Sequence, residues 1–430
     1  MAAEIESMDR AVLVVVDPRD DHEADANTEE LRLLVDSAGG RLVDEMHVRR
    51  STPKSRHFIG KGNAEEVYLR VQEAEADLVI VGVDLSPTQQ RNLEEAVTVQ
   101  VVDRTQLILS IFAQRARTSE GKLQVELAQL QYLLPRLAGV GVEMSRIGGG
   151  SAGGIATRGP GETKLETDRR RVRKRISLLR DELEDVVKRR AIQNKARREL
   201  LIPSAALVGY TSAGKSTLLN LLADAHLEAH AKLFATLDPT TRRVDLGEGH
   251  AILLSDTVGF LRNLPHHLIA AFRATLEEVV EADFLIHVVD ANHHYSEEQR
   301  QAVGGVLAEI GAQDKPMITV FNKSDLVKDQ YELRRLVADT QDSCYMSSLT
   351  GEGKEYLLRL IDQIVARLMR RIEVVIPYNR GDLVALCHER GRVFATDYRP
   401  DGVYVQVELS HDLEPRVAPY ELPATPSSSA

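Results

Sequence analysis

Gly209-Tyr210-Thr211-Ser212-Ala213-Gly214-Lys215-Ser216-Thr217 has the form of a phosphate-binding loop. Its flanks suit that reading. Ser204-Ala205-Ala206-Leu207-Val208 is an apolar run of strand length, and Thr217-Leu218-Leu219-Asn220-Leu221-Leu222 begins a helix. A loop between a strand and a helix N-terminus aims its backbone N–H groups at the α- and β-phosphates of a nucleotide, and glycines let the chain approach closely. Lys215 then reaches the β/γ-phosphates, and the Ser216 hydroxyl is placed to hold Mg²⁺.

Three segments further along choose the base. Asp256-Thr257-Val258-Gly259-Phe260 follows the apolar Ala251-Ile252-Leu253-Leu254, so Asp256 falls at a strand end. There it holds Mg²⁺ through water, and the Gly259 amide senses the γ-phosphate. Asn322-Lys323-Ser324-Asp325 follows Met317-Ile318-Thr319-Val320-Phe321. The Asp325 carboxylate accepts from guanine N1–H and the exocyclic amine, a pair of donors that adenine lacks. A site built on such pairing rejects a base that leaves it unpaired. Ser347-Ser348 adds a backbone contact to the guanine carbonyl. The set predicts a P-loop G domain over residues 202–371, doubly wound with a mostly parallel sheet, that takes GTP and GDP.

The 430 residues are enough for roughly two to four domains. Cys344 and Cys387 are too few for a disulfide framework, lack metal-ligand spacing and read as buried free thiols. The acidic N-terminus has no signal-peptide pattern, and apolar runs such as Ala11–Val16 are too short to cross a bilayer. A soluble, cytoplasmic protein is expected. The net charge of −11 hides an uneven distribution. Residues 162–200 carry 14 Lys/Arg against 8 Asp/Glu, a local +6 that leaves −17 elsewhere. On charge alone this segment is equally a solvated helix face with internal ion pairs.

The chain as a whole reads as a multidomain α/β protein. Residues 1–105 alternate strand-like and helix-like segments, which predicts a small parallel α/β domain. Gly60-Lys61-Gly62 lacks a Walker pattern and reads as a turn before a helix. In residues 106–200, Leu123, Leu127, Leu130, Leu134 and Leu137 step at heptad spacing, as do Val172, Ile176, Leu179, Leu183 and Val186. Two such seams predict an antiparallel helical hairpin, with Pro135 kinking or ending the first helix. The segment 138–161 between them holds nine glycines and reads as a functional or disordered loop. Residues 372–422 follow a β-α-β-β order, a small α+β domain with a hairpin turn at Pro400-Asp401-Gly402, and 423–430 read as a disordered tail.

Several long motifs resemble the HflX family of ribosome-associated GTPases. They are Phe112–Thr118, Gly121–Leu130, Arg158–Arg170, the switch-like Phe234-Ala235-Thr236-Leu237-Asp238-Pro239-Thr240, and Asp256–Phe260. The resemblance spans residues from about 10 to 372. It implies a factor that binds the large ribosomal subunit and its rRNA. With GTP, such a factor splits stalled or idle ribosomes, often under stress, and at most associates peripherally with membrane. It makes Arg158, Lys164, Arg169, Arg170, Arg171, Arg173, Lys174 and Arg175 candidate RNA contacts. A monomer is expected, since the one coiled-coil seam closes within the chain.

For catalysis the expected groups are Lys215, Gly259 and a switch I threonine that completes Mg²⁺ coordination. Thr236 is the first choice and Thr240 the alternative. Phe234 and Ala235 join Thr236 in contacting nucleotide. Ras-like enzymes orient the attacking water with a glutamine after Asp-x-x-Gly. Here that place holds Phe260, which predicts slow hydrolysis by the isolated chain and stimulation by the ribosome. Ser212 stands where K⁺-activated relatives carry asparagine, which implies little selective activation by K⁺.

Overall fold

The computed structural model describes residues 9–17, 21–49, 56–137, 160–199, 202–223, 233–234, 236, 239–247, 250–262, 265, 273–410 and 413–422. Most of the glycine-rich segment, Arg158, Ala235, the side chain of Lys164 and the tail lie outside them. The chain divides into two compact units. One contains residues up to 186 with 229–238 and 258–276; the other contains 187–228, 239–257 and 277 onward.

The first unit begins with β1 (Arg10–Asp17), α1 (Asp21–Ala38), β2 (Arg41–Arg49), α2 (Lys61–Glu73), β3 (Leu78–Val81), α3 (Pro87–Val97) and β4 (Gln100–Asp103). The strands form a parallel sheet of order β2-β1-β3-β4. Every residue of β3 is buried, the near-continuous apolar pattern expected of a strand covered on both faces. Gly60, at φ 87°, ends the turn before α2, and a Ser86–Gln89 capping box opens α3. The structure corrects one boundary. A twelve-residue helix, α4 (Arg104–Arg115), contacts α1 and β4, so this layer does not end at residue 105. Residues Arg104 to Phe112 of α4 are all buried. A helix covered all round has no amphipathic period to read.

Next come α5 (Ser119–Arg136) and the forty-residue α6 (Pro160–Glu199). Leu127, Ile176 and Leu179 form the buried seam between them, flanked by Leu123, Leu130, Leu134, Val172 and Leu183. Eight of the ten heptad positions thus meet in this seam, which does not include Leu137 or Val186. α5 stops one residue beyond Pro135. Its last residue, Arg136, donates to Asp103 (2.9 Å), the Leu85 carbonyl (2.9 Å) and Gln90 (2.8 Å), with its guanidinium 3.4 Å from the centre of the Tyr132 ring. Burial pushes the Asp103 carboxyl up despite these donors, so the hub is a fully engaged buried polar network.

The second unit is built on β5 (Ser204–Gly209), α7 (Lys215–Ala223), β6 (Thr240–Gly247), β7 (His250–Asp256), α8 (Arg273–Glu281), β8 (Phe284–Asp290), α9 (Ser296–Glu309), β9 (Met317–Asn322), α10 (Gln330–Ala338), β10 (Ser343–Tyr345) and α11 (Lys354–Leu368). The sheet order is β10-β9-β8-β5-β7-β6, parallel except for β6. Leu207, Leu218, Ile252, Ile286, Ile318 and Ile361 share its core.

β11 (Met369–Ile376), α12 (Gly381–Arg390), β12 (Arg392–Arg399) and β13 (Gly402–Ser410) follow, with β13 central in an antiparallel sheet. Leu383 and Cys387 pack with Val374, Val405 and Val407. Met369 already pairs with Ser410, so Arg370 and Arg371 belong to this sheet rather than to the preceding domain. The helix runs into the strand through apolar Leu368-Met369, without a breaker to mark the change. Both cysteines are buried, which pushes Cys344 up to about 12 and Cys387 up to about 11. No helix among the described residues is long and apolar enough to cross a membrane.

Candidate functional site

β5 ends at Gly209, whose φ is +153°. A Cβ there would stand 2.3 Å from the Val288 carbonyl oxygen, and one on Gly214 (φ +98°) would stand 2.3 Å from Asn322 Nδ2. Both glycines are therefore required by close approach as well as by conformation. Between them Tyr210, Thr211 and Ala213 are buried, and Ser212 is exposed in a left-handed conformation. The Thr211 hydroxyl has no partner among the described residues. Lys215 opens α7, with Ser216 and Thr217 in its first turn. Lys215 Nζ donates to the Gly209 carbonyl (3.0 Å) and the Tyr210 carbonyl (2.9 Å).

Burial pushes the Lys215 ammonium down to about 8, opposed in part by Asp256. A phosphate chain favours the charged form and raises this value again. Nucleotide binding near pH 8 should therefore take up about half a proton, and almost none near pH 6 where the lysine is already charged. Calorimetry in buffers of different ionisation enthalpy measures this. Uptake equal at both pH values would contradict it.

β7 lies beside β5 and ends at Asp256, opposite Leu207. The Thr257 hydroxyl donates to the Leu207 carbonyl at 2.6 Å, which fixes the strand end. Ser216 Oγ donates to Asp256 Oδ2 at 2.6 Å. One hydroxyl and one carboxylate in contact are hard oxygen donors that fit Mg²⁺, an ion that takes few protein ligands and completes its shell with water and phosphate. Among the described residues no group of three or more His, Cys, Asp or Glu could hold a metal. P-loop GTPases generally use Mg²⁺ in this position.

On the base side, Asn322 is 2 % exposed and ties two loops together. Its Nδ2 donates to the Ala213 carbonyl (2.8 Å), and its Oδ1 accepts from the Ser348 amide (2.9 Å) and hydroxyl (2.8 Å). Asp325 sits in a short 3₁₀ turn, exposed, its carboxylate without a hydrogen bond to the described residues. Ser347 and Ser348 are buried, and Lys323 is left-handed at φ 63°. The structure thus gathers the phosphate loop, Asp256, Asn322 and Ser347-Ser348 at the ends of β5, β7, β9 and β10. Sequence reasoning placed Asn322 among the nucleotide-binding residues and did not foresee it as a tie between two loops. The signal was there, since an amide both donates and accepts.

Of the switch segments, Phe234, Thr236 and Val258–Phe260 belong to the first unit, and Thr240, Asp256 and Thr257 to the second. Phe234, left-handed at φ 54°, packs its ring edge-on against Phe112 with centroids 4.6 Å apart, and the Leu233 amide donates to Ser37 Oγ at 3.0 Å. The Phe234 side chain is therefore spent on packing, which leaves its backbone for any nucleotide contact. Val258, Gly259, Phe260 and Leu261 are all buried. The Arg262 carbonyl accepts from Arg104 at 2.9 Å, and Arg104 also pairs with buried Glu30. Thr236 is partly buried, whereas Thr240 opens β6 opposite Asp256.

On α6, Arg170, Arg171, Arg173 and Lys174 are exposed, with Arg171 3.6 Å from Asp168. Arg169 is partly buried. Arg175 grips Glu126 across the seam through two bonds of 2.6 and 2.7 Å, and this partner holds the Glu126 carboxyl below its usual range. Arg175 is thus a hairpin clasp first.

Three family descriptions match successive segments: GTP-binding GTPase N-terminal over residues 25–113, GTP-binding GTPase Middle Region over 115–197, and 50S ribosome-binding GTPase over 204–323. The GTPase HflX of Lacrimispora saccharolytica is 45 % identical over 405 residues, 94 % of each chain. The chain belongs to the HflX GTPase family. The GTPase HflX of Escherichia coli is 42 % identical over 87 % of each chain. A GTP-binding protein from the archaeon Sulfolobus solfataricus, solved in complex with GDP, is 26 % identical, covering 84 % of this chain and 99 % of its own at a TM-score of 0.45. As an HflX GTPase, the protein binds guanine nucleotide and hydrolyses GTP to GDP and phosphate.

Proposed function

We propose that this HflX GTPase binds the large ribosomal subunit in the cytoplasm, as a monomer, and uses GTP to split stalled or idle ribosomes. The reading is carried by one combination: a G domain in a ribosome-binding GTPase family, joined to a long helix that exposes Arg170, Arg171, Arg173 and Lys174. These four side chains meet rRNA phosphates, contacts that weaken with salt. Arg175 clasps the hairpin that presents them.

In the nucleotide site, backbone amides of residues 211–216 cradle the phosphates and Lys215 neutralises charge on the β/γ-phosphates. Ser216, Thr236 and, through water, Asp256 hold Mg²⁺, which supplies further charge neutralisation when bound. Thr236 serves as the switch I threonine in this reading, with Thr240, whose backbone pairs opposite Asp256, as the alternative. The Gly259 amide reports the γ-phosphate, and Asp325 with the Ser347-Ser348 backbone reads guanine. Phosphoryl transfer depends on positioning and charge more than on covalent chemistry. Phe260 is 2 % exposed and cannot orient water, so the remaining positioning comes from the ribosome.

Intact ribosomes incubated with the protein and a non-hydrolysable GTP analogue should release free subunits in a sucrose gradient. Stable binding to isolated large subunits without release would replace splitting by a GTP-controlled switch in subunit assembly. Absence of any co-sedimentation would end both readings.

A further inference from the structure

Lys323, in the guanine motif, is held by a residue outside all the nucleotide motifs. Its Nζ donates to Asp290 Oδ2 at 2.6 Å, with the two side chains 32 % and 13 % exposed. Asp290 is the last residue of β8 and stands opposite Asn322 in the β8–β9 register. Its own carboxylate is fixed, because Oδ1 accepts from the Asn292 amide at 3.1 Å. The turn that follows is tied to β9 as well, through the bond from the Ala291 amide to the Asn322 carbonyl at 2.9 Å. Lys323 leaves β9 in a left-handed conformation, so its four methylenes run between two anchored points, the end of β9 and the end of β8.

We propose that Asp290 is a positioning residue for the base: it lays the methylene stem of Lys323 down as one apolar wall of the guanine pocket. A free lysine stem has several rotors to order when a ring stacks on it. Here the pair with Asp290 orders them before the nucleotide arrives, which is preorganisation of a binding surface. The carboxylate is mostly buried and the contact is a short charge-assisted bond, unlike the solvated ion pairs whose geometry is loose. The neighbouring Asn322 is pinned at both ends of its amide, so the wall stands on a rigid base. The inference rests on the assignment of this site to guanine.

The test uses the full-length chain and the release rate of a fluorescent GDP. Asp290→Ala should release it about tenfold faster, and Lys323→Ala should do the same, with the double variant no faster than either alone. Asp290→Asn, which keeps one acceptor for the ammonium, should fall between. The nucleotide-free melting temperature should shift little for Asp290→Asn. An unchanged release rate in Asp290→Ala overturns the proposal. So does a double variant whose effects multiply, since the two residues would then act independently of each other. Asp325→Asn serves as the control. If it binds GDP normally, the guanine assignment itself fails; if it loses GDP while the Asp290 variants do not change, only the role of Asp290 falls.

Discussion

Asp325→Asn should bind GTP roughly 10⁴-fold more weakly than the parent chain and should accept xanthosine triphosphate in its place. Guanine presents two donors, N1–H and the exocyclic amine, to a carboxylate that offers two acceptors. An asparagine amide turns one of those acceptors into a donor, which faces the amine and repels it. Xanthine carries a carbonyl at that ring position, so the mismatch becomes a match. The size of the swap follows from leaving buried polar groups unpaired, a penalty far larger than the loss of a methylene contact. The fold should not change, because Asp325 is exposed and makes no hydrogen bond to the described residues. Such surface substitutions usually fall within about 0.5 kcal/mol. Competition between GDP and xanthosine diphosphate for the folded variant reads the outcome. Unchanged preference for GDP would remove Asp325 from the base contact.

Asn322→Ala is expected to damage both stability and nucleotide binding. The substitution strips the Ala213 carbonyl of its donor and the Ser348 amide and hydroxyl of their acceptor, all at a residue that is 2 % exposed. Each buried group left unpaired costs about 1–3 kcal/mol. Some of these groups recover water, so a total of roughly 2–5 kcal/mol is expected. Nucleotide affinity should fall by about a hundredfold or more, because the phosphate loop and the Ser347-Ser348 loop lose their common anchor. Asn322→Asp separates the halves of the effect. It keeps an acceptor for Ser348 but sets a carboxylate against the Ala213 carbonyl, so the phosphate loop suffers while the base loop is spared. Urea unfolding together with GDP binding decides it. An Asn322→Ala chain with the parent midpoint would show that the hub does not hold the loops.

The two predictions rest on residues that the sequence could name and on a tie that it could not show. Asp325, Lys215 and Asp256 were legible because the nucleotide fixes their chemistry and their places at strand ends fix their spacing. Asn322 was named only as part of a motif; its role as a tie appears once β9 and the phosphate loop lie side by side. Lys323 was read as a motif lysine, and Asp290 not at all, because the two are 33 positions apart. Such pairs are invisible to periodicity. Arg175 was read as a candidate RNA contact from its charge together with the family resemblance, and Glu126, 49 positions away, proves to be its partner. Phe234 was read with the nucleotide by motif, while its ring lies against Phe112.

By itself the sequence determined the nucleotide, the class of fold, the heptad seam and the family. Each depends on residue types at fixed short spacings, where a helix or strand period or a ligand's own geometry dictates the pattern. Tertiary structure alone decided the rest. It placed α4 in the first unit, where burial on all sides erased any amphipathic signal. It gave Arg370 and Arg371 to the final sheet through pairing with β13. It assigned polar side chains to one another across long stretches of chain, because hydrogen bonds and ion pairs form between neighbours in space, and that neighbourhood exists only after the sheets have closed.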